Sequence, residues 1–319
     1  MIPTHRLCLV LGDELKLYSF PEPHPFRSDR YEAFLRRLRG EGLDSHPGVA
    51  VCGPRMASRD EVELFHDPDY VEFVARASER GGGYLDYGDT PAFPGVYEAT
   101  LWVVGATLRA LEAVLSGESL RGFNPVGGLH HARRDRAAGF CVFNDVGVAL
   151  EFALRSGVER VLYVDVDAHH GDGVFYGFYD DPRVWIFDVH EDGRYLYPGT
   201  GFRHEVGEGE ARGTKLNVPL PPGAGDDELA EAAEELTEFA DRAEPELVVL
   251  QAGADGLAMD PLTHLSYTES GYLRFVDAVL QVAERHARGR IVAVGGGGYR
   301  REALASAWVG LVRRLLGRT

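Results

Sequence analysis

The run Asp165-Val166-Asp167-Ala168-His169-His170-Gly171-Asp172-Gly173 crowds three carboxylates and two imidazoles together. It follows the apolar stretch Val161–Val164, so it sits where a buried strand is expected to end. Charged groups in such a place need a compensating partner. A bound divalent ion is one that serves several carboxylates at once. Asp and His donors together suit Zn²⁺ or Fe²⁺. In an extended segment, residues two apart face the same way, which would align Asp165, Asp167 and His169. Asp167 and His169 make a ligand pair. Asp255, in Ala252-Gly253-Ala254-Asp255-Gly256 after another apolar run, completes an Asp₂His set. Three protein ligands with a position left open mark a catalytic ion, able to polarise a carbonyl and activate water.

Acid–base candidates lie at His130-His131, since imidazole titrates near neutrality. Asp165 and Asp172 are the carboxylates left to orient these rings, fixing the tautomer and raising basicity. Tyr299 closes a four-glycine run, Gly295–Gly298, where the backbone can come close to a ligand. A hydroxyl held there can donate to a developing oxyanion, an effect worth about 2.7–4 kcal/mol for comparable donors. These parts describe metal-assisted hydrolysis of an amide. His170 should point away from His169 and fill a structural role. His5, His24, His46, His66, His190, His204, His264 and His286 lack ligand spacing and are expected at surface or structural positions.

The elements that must position these groups follow from periodicity. Continuous apolar runs at Leu7–Leu11, Val161–Val164, Val184–Phe187, Leu247–Leu250 and Ile291–Val294 predict strands buried on both faces of a parallel sheet. A shorter run lies near Phe123–Val126. Helical periodicity covers Tyr97–Leu115, Asp145–Arg155, Asp227–Ala243, Glu269–Ala287 and Glu302–Leu316. The alternation predicts an α/β fold with a central, mostly parallel sheet and helices on both faces. Gly81–Gly83 and Pro219–Gly225 read as loops inside one domain, and no linker divides the chain. The polar clusters all follow strand-like runs, and ligands of parallel sheets bind beyond the carboxyl ends of strands. Four such ends should therefore converge on one cleft.

Composition narrows the partners. The 319 residues carry a formal charge of −17, which argues against direct nucleic-acid binding and suits a cationic protein or peptide. No apolar run approaches the ~18 residues of a membrane span, and the short stretch Leu7–Leu11 reads as a first strand rather than a signal peptide. A cytoplasmic location is expected. Cys8, Cys52 and Cys141 lack metal-type spacing and are expected to be buried free thiols rather than a disulfide framework.

Six segments, in order, resemble the histone deacetylase superfamily, which includes bacterial acetoin-utilisation deacetylases and acetylpolyamine amidohydrolases. They are Gly127–Ala132, Gly139–Asp145, Asp165–Gly173, Tyr197–Gly201, Gly253–Asp255 and Gly295–Tyr299, with weaker matches at His24-Pro25, His66–Tyr70 and Gly88–Pro91. The resemblance is closest to the acetoin-utilisation type. It implies a single domain over residues 1–319 with the arginase/deacetylase fold. It also implies zinc-dependent removal of acetyl from lysine side chains, with ferrous iron accepted by the same ligands. Asp167, His169 and Asp255 would be the metal ligands. His131 with Asp172 would be general base and acid, and His130 with Asp165 the electrostatic partner. Tyr299 would be the oxyanion donor. Gly139, Phe140 and Tyr197 would line a tunnel for the acyl-lysine stem, and Asp89 would bind substrate backbone at its rim. A potassium ion is implied beside the backbone carbonyls of Asp165, Asp167 and His169. Asp188 stands there, where many relatives carry serine. Leu262 stands where polyamine deacetylases of the family use glutamate, which weighs against a polyamine substrate. The alternatives are deacetylation of a small acylated amine and a non-catalytic acyl-lysine-binding module. A two-metal, arginase-like hydrolase is disfavoured, because Asp255 is followed by Gly256-Leu257 and the second aspartate of such sites is missing.

Overall fold

The structure, a computed structural model, describes residues 4–317. Residues 1–3 and 318–319, which the single-domain reading includes, lie outside the described residues. The strands are β1 (His5–Val10), β2 (Val49–Cys52), β3 (Ser119–Asn124), β4 (Val161–Asp165), β5 (Val184–Glu191), β6 (Lys215–Leu220), β7 (Leu247–Gln251) and β8 (Ile291–Val294). They form one sheet in the order β2-β1-β3-β8-β7-β4-β5-β6. Every pairing is parallel. β4 and β7 are wholly buried, as expected of apolar strands covered on both faces.

The helices are α1 (Asp29–Gly40), α2 (Arg59–Val62), α3 (Pro68–Arg80), α4 (Val96–Leu115), α5 (Asp145–Arg155), α6 (Asp172–Gly177), α7 (Asp226–Ala243), α8 (Glu269–His286) and α9 (Arg301–Leu315). One layer packs α1 on α9, α9 on α8 and α8 on α7. The other is built around α4 and α5, with α3 against α4 and with α2 and α6 against α5. Local chemistry sets the helix starts near the site. Asn144 caps α5 by accepting the Gly147 N–H at 2.8 Å. The same Asn144 reaches the Ala132 carbonyl at 2.9 Å, which ties the His130-His131 loop to α5.

Two expectations are corrected. Pro219 and Leu220 belong to β6 rather than to a loop. β6 is an edge strand paired only with β5, so a residue with no N–H is tolerated there. Cys8 and Cys52 are not free thiols but form a disulfide; parallel pairing of β1 with β2 brings together residues 44 positions apart. Cys141 is free and buried, as expected. Among the described residues no helix is long and apolar enough to cross a membrane.

Candidate active site

Five neighbouring strands, β3, β8, β7, β4 and β5, deliver their carboxyl ends to one place. The segment after β4 does not stay extended. It folds into successive turns in which Asp165 Oδ1 accepts the Asp167 N–H at 3.0 Å and Asp167 Oδ1 accepts the His169 N–H at 3.0 Å. The turns separate the residues that a strand would have aligned. Asp165 turns to His130, while Asp167 and His169 meet Asp255 from the loop after β7.

Asp167 Oδ2 and Asp255 Oδ1 are held by the surrounding chain, and the other oxygen of each carboxylate is aimed inward, Asp167 Oδ1 while also accepting the His169 N–H. Asp167 Oδ2 accepts from Gln251 Nε2 at 2.8 Å and from the Gly297 N–H at 2.7 Å. Asp255 Oδ1 accepts the Ala168 N–H at 2.9 Å. That leaves Asp167 Oδ1 and Asp255 Oδ2 at 3.1 and 2.8 Å from His169 Nδ1. These separations approach the ~3.3 Å edge of a tetrahedron with ligand bonds of about 2.0 Å. One ring nitrogen cannot donate fully to two carboxylates, and burial with Asp167 alongside pushes the Asp255 carboxyl upward. The donor set thus fits a divalent cation, which would satisfy all three atoms together.

The two imidazoles stand beside the trio in different electrostatic settings. His130 Nδ1 donates to Asp165 Oδ2 at 2.7 Å, and Asp165 also accepts the Tyr163 hydroxyl at 2.5 Å. Burial opposes charge on His130, but Asp165 and Asp167 outweigh it and push its pKa up to about 10. His131 Nδ1 donates to Asp172 Oδ1 at 2.8 Å. Here the carboxylate is shared, because Arg133 binds Asp172 Oδ2 through Nε at 3.0 Å and Nη2 at 2.7 Å. Burial and the charge on His130 push His131 down to about 4, so it is neutral at pH 7. The two Nε2 atoms lie 3.1 Å apart, and the charged His130 is the donor.

A cavity of about 230 Å³ opens over these groups. His131, Asp167, His169 and Tyr299 line it together with Phe140, Leu196, Tyr197 and Leu262. It is smaller than the ~300–1,000 Å³ of drug-sized pockets and suits a slender ligand. Asp89 and Tyr197 border both this cavity and an adjoining surface groove, so they mark its mouth. Gly139 and Phe140 have left-handed backbones, φ 53° and 69°. The Phe140 backbone is clamped by Tyr18 Oη donating to its carbonyl at 2.6 Å and by its own N–H donating to Thr90 Oγ1 at 3.1 Å. Burial holds the Tyr299 phenol well above its usual pKa, with Arg30 pulling the other way, so it remains an O–H donor. Asp89 is pushed up to about 7 by burial and by neighbouring Asp86.

Asp188, paired in register with Asp165, is buried. Its Oδ2 accepts the Gly171 N–H at 2.9 Å, and its Oδ1 accepts from His190 Nδ1 at 2.6 Å. His190 Nε2 donates to the Gly201 carbonyl at 2.9 Å. Both oxygens of Asp188 are engaged within the chain. His170 turns away from the trio, its Nδ1 2.9 Å from Thr200 Oγ1.

Sequence reasoning missed Gln251, Arg133 and Tyr163. Gln251 and Tyr163 carried a signal, each being a polar group in or at the end of an apolar strand. Arg133 carried none, because its salt bridge to Asp172 joins a loop to the start of α6, 39 positions away.

Comparison with known proteins agrees with this architecture. Residues 24–315 match the histone deacetylase domain. The chain belongs to the histone deacetylase family. As a family member it is a deacetylase, a hydrolase of amide bonds. The acetoin utilization protein AcuC of Bacillus subtilis (strain 168) is 41% identical over 298 residues, 91% of this chain and 76% of that protein. A probable deacetylase of Archaeoglobus fulgidus is 35% identical over 314 residues, 97% of this chain and 86% of the other. Among solved structures, an HDAC homolog from Aquifex aeolicus superposes with a TM-score of 0.88 at 33% identity, covering 98% of this chain and 84% of that one. The HDA15 HD domain gives a TM-score of 0.92 at 28% identity, with 99% and 89% covered.

Proposed function

We propose that this deacetylase removes acetyl from N-acetyl-lysine side chains of proteins or peptides. In this reading Asp167, His169 and Asp255 hold Zn²⁺, or Fe²⁺. The observation that carries the reading is the three-donor cluster whose members Asp167 and His169 line the same narrow cavity as the imidazole pair and Tyr299. The ion, when bound, supplies a Lewis acid for the amide carbonyl and for water.

The chain's own residues do the rest. Phe140, Tyr197, Gly139 and Leu262 wall the stem of the acyl-lysine, and Asp89 at the mouth takes substrate backbone N–H groups. His131 is the neutral imidazole, oriented by Asp172, and it accepts the proton of the attacking water. Its Nε2 lone pair accepts from His130, so that hydrogen bond must open before His131 can take the proton. His130, oriented by Asp165, keeps a fixed positive charge. Tyr299 donates to the developing oxyanion, and His131 then returns its proton to the lysine amine. An apolar Leu262 in the wall offers nothing to a cationic polyamine. Asp188 faces His190, so the reading assigns potassium no step. We place the protein in the cytoplasm, with the whole chain as one domain.

The test is acetate release from an acetyl-lysine peptide by the zinc-loaded protein, set beside acetylated diamines. Tyr299→Phe should lower kcat by about 10²–10³-fold. No release, or full activity in both Tyr299→Phe and His131→Ala, would reject the mechanism. Clear preference for the diamine would reject the substrate.

A further inference from the structure

Tyr299 ends a segment with little stiffness of its own. Gly295–Gly298 lies outside helix and strand, and Gly296 and Gly298 have φ of 112° and 123°. Glycine loses more conformational freedom on ordering than any other residue, so such a run is placed by its outside contacts. Those contacts can be followed residue by residue. The Gly295 N–H donates to the Asn124 carbonyl at 2.9 Å, and the Gly297 N–H to Asp167. Arg30 donates to the carbonyls of Gly296 and Gly298. The N–H of Tyr299 itself goes to Asp260 Oδ2 at 2.7 Å.

The other oxygen of Asp260 is also engaged. Oδ1 accepts the Leu262 N–H at 3.0 Å. Leu262 and Tyr299 both line the cavity. One carboxylate therefore holds the peptides of two residues that face the same substrate space from different loops. Asp260 is 7% exposed, and among the described residues no cationic side chain forms a salt bridge with it. The loop that carries it is tied down on both sides. Thr263 Oγ1 donates to the Asp255 carbonyl at 2.5 Å, and Glu191 accepts the N–H of His264 at 2.8 Å. Just before Asp260, Met259 takes a left-handed backbone, φ 68°, an uncommon state for a side chain of that size.

We propose that Asp260 is a positioning residue which sets the Tyr299 phenol against the tunnel wall at Leu262 by holding both backbone N–H groups on one carboxylate. The proposal rests on the reading of Tyr299 as oxyanion donor. Asp260 touches neither substrate nor reacting atoms and acts through Tyr299.

A double-variant cycle separates this role from a general structural one. Asp260→Asn keeps the shape but turns an amide NH₂ toward one of the two N–H groups. In the zinc-loaded protein it should lower kcat by about tenfold or more, since a misplacement of about 1 Å can cost 10²-fold. KM should change by less than about threefold. Added to Tyr299→Phe, Asp260→Asn should cost less than about twofold further, because the group it positions is already gone. Asp260→Glu keeps the charge but displaces both N–H groups and should give the same cycle. It replaces Asp260→Asn if thermal melts show that variant unfolded. Losses that multiply in the double variant, or wild-type kcat in a folded Asp260→Asn, would overturn the proposal. If the wild-type protein releases no acetate, the functional reading fails. The cycle is then read from hydroxamate affinity of the zinc-loaded protein, where a loss caused by Asp260→Asn must vanish in the Tyr299→Phe background.

Discussion

Gly139 is the position where the smallest change should do the largest selective damage. Its φ is +53°, and a Cβ built there would lie 2.8 Å from Cγ of His131, closer still to Cδ2, and 3.0 Å from Cε1 of Tyr197. Carbon atoms rest at about 3.5–4.0 Å. In Gly139→Ala the His131 ring must therefore move by about 1 Å, or the Gly139-Phe140 turn must move instead. His131 is tethered through Nδ1 to Asp172, which Arg133 holds in turn, so the ring cannot slide without straining that pair. A left-handed alanine adds roughly 1–2 kcal/mol of backbone cost. Stability should thus fall by a few degrees of Tm. His131, the acid–base group of the proposed mechanism, should be misplaced enough to reduce kcat/KM by about 10²-fold. The assay pairs acetate release with a thermal melt under the same zinc load. Activity within about threefold of wild type in a folded Gly139→Ala protein would refute the steric reasoning. A loss of activity matched by global unfolding would refute the claim of selectivity.

Three further outcomes are expected. Zn²⁺ at about 100 times its Kd should stabilise the protein by about 2.7 kcal/mol, read as a rise in Tm, and Asp255→Asn should remove most of that rise. Arg133→Gln should move the acid limb of the kcat/KM profile to higher pH. Freed of its guanidinium partner, Asp172 holds the His131 proton more tightly, and the base form of His131 is lost at a higher pH than before. His66 is buried and pushed down to about 3 from 6.5 by burial, with the Arg134 charge acting the same way and backbone hydrogen bonds to Arg134 and Arg133 opposing it. Between those values the unfolded chain binds a proton that the folded chain does not. Stability should therefore be lost as the pH is lowered from 6.5 towards 3, by up to about 1.4 kcal/mol per unit from this group. Denaturant titrations should show a shallower slope for His66→Gln, and an unchanged slope would contradict the assignment.

Much of this architecture was legible in the residues because of where the sheet is buried. β1, β4, β5, β7 and β8 announce themselves as apolar runs, since helices cover both faces. The edges did not. β2 is partly exposed, and β6 mixes Lys215, Asn217 and Pro219 with its apolar residues. α1 and α3 also escaped the periodicity reading, although both bury an apolar face. The disulfide was hidden because Cys8 and Cys52 meet only through strand pairing. At the site, the dense Asp/His run was visible because such groups are costly at a buried strand end. Its conformation was not, because the turns depend on each aspartate capping the backbone two residues on. Asp260 was overlooked because an acceptor that serves a peptide 39 positions away leaves no local pattern.

β4 and β7 are neighbours in the middle of the sheet, each flanked by strands on both sides. The trio hangs directly from their ends, so it shares the fate of the most protected part of the molecule. Peripheral fraying at β2 or β6 leaves the strands that carry the Asp167, His169 and Asp255 donors paired on both sides, so the proposed ligand set should outlast the edges of the sheet on warming.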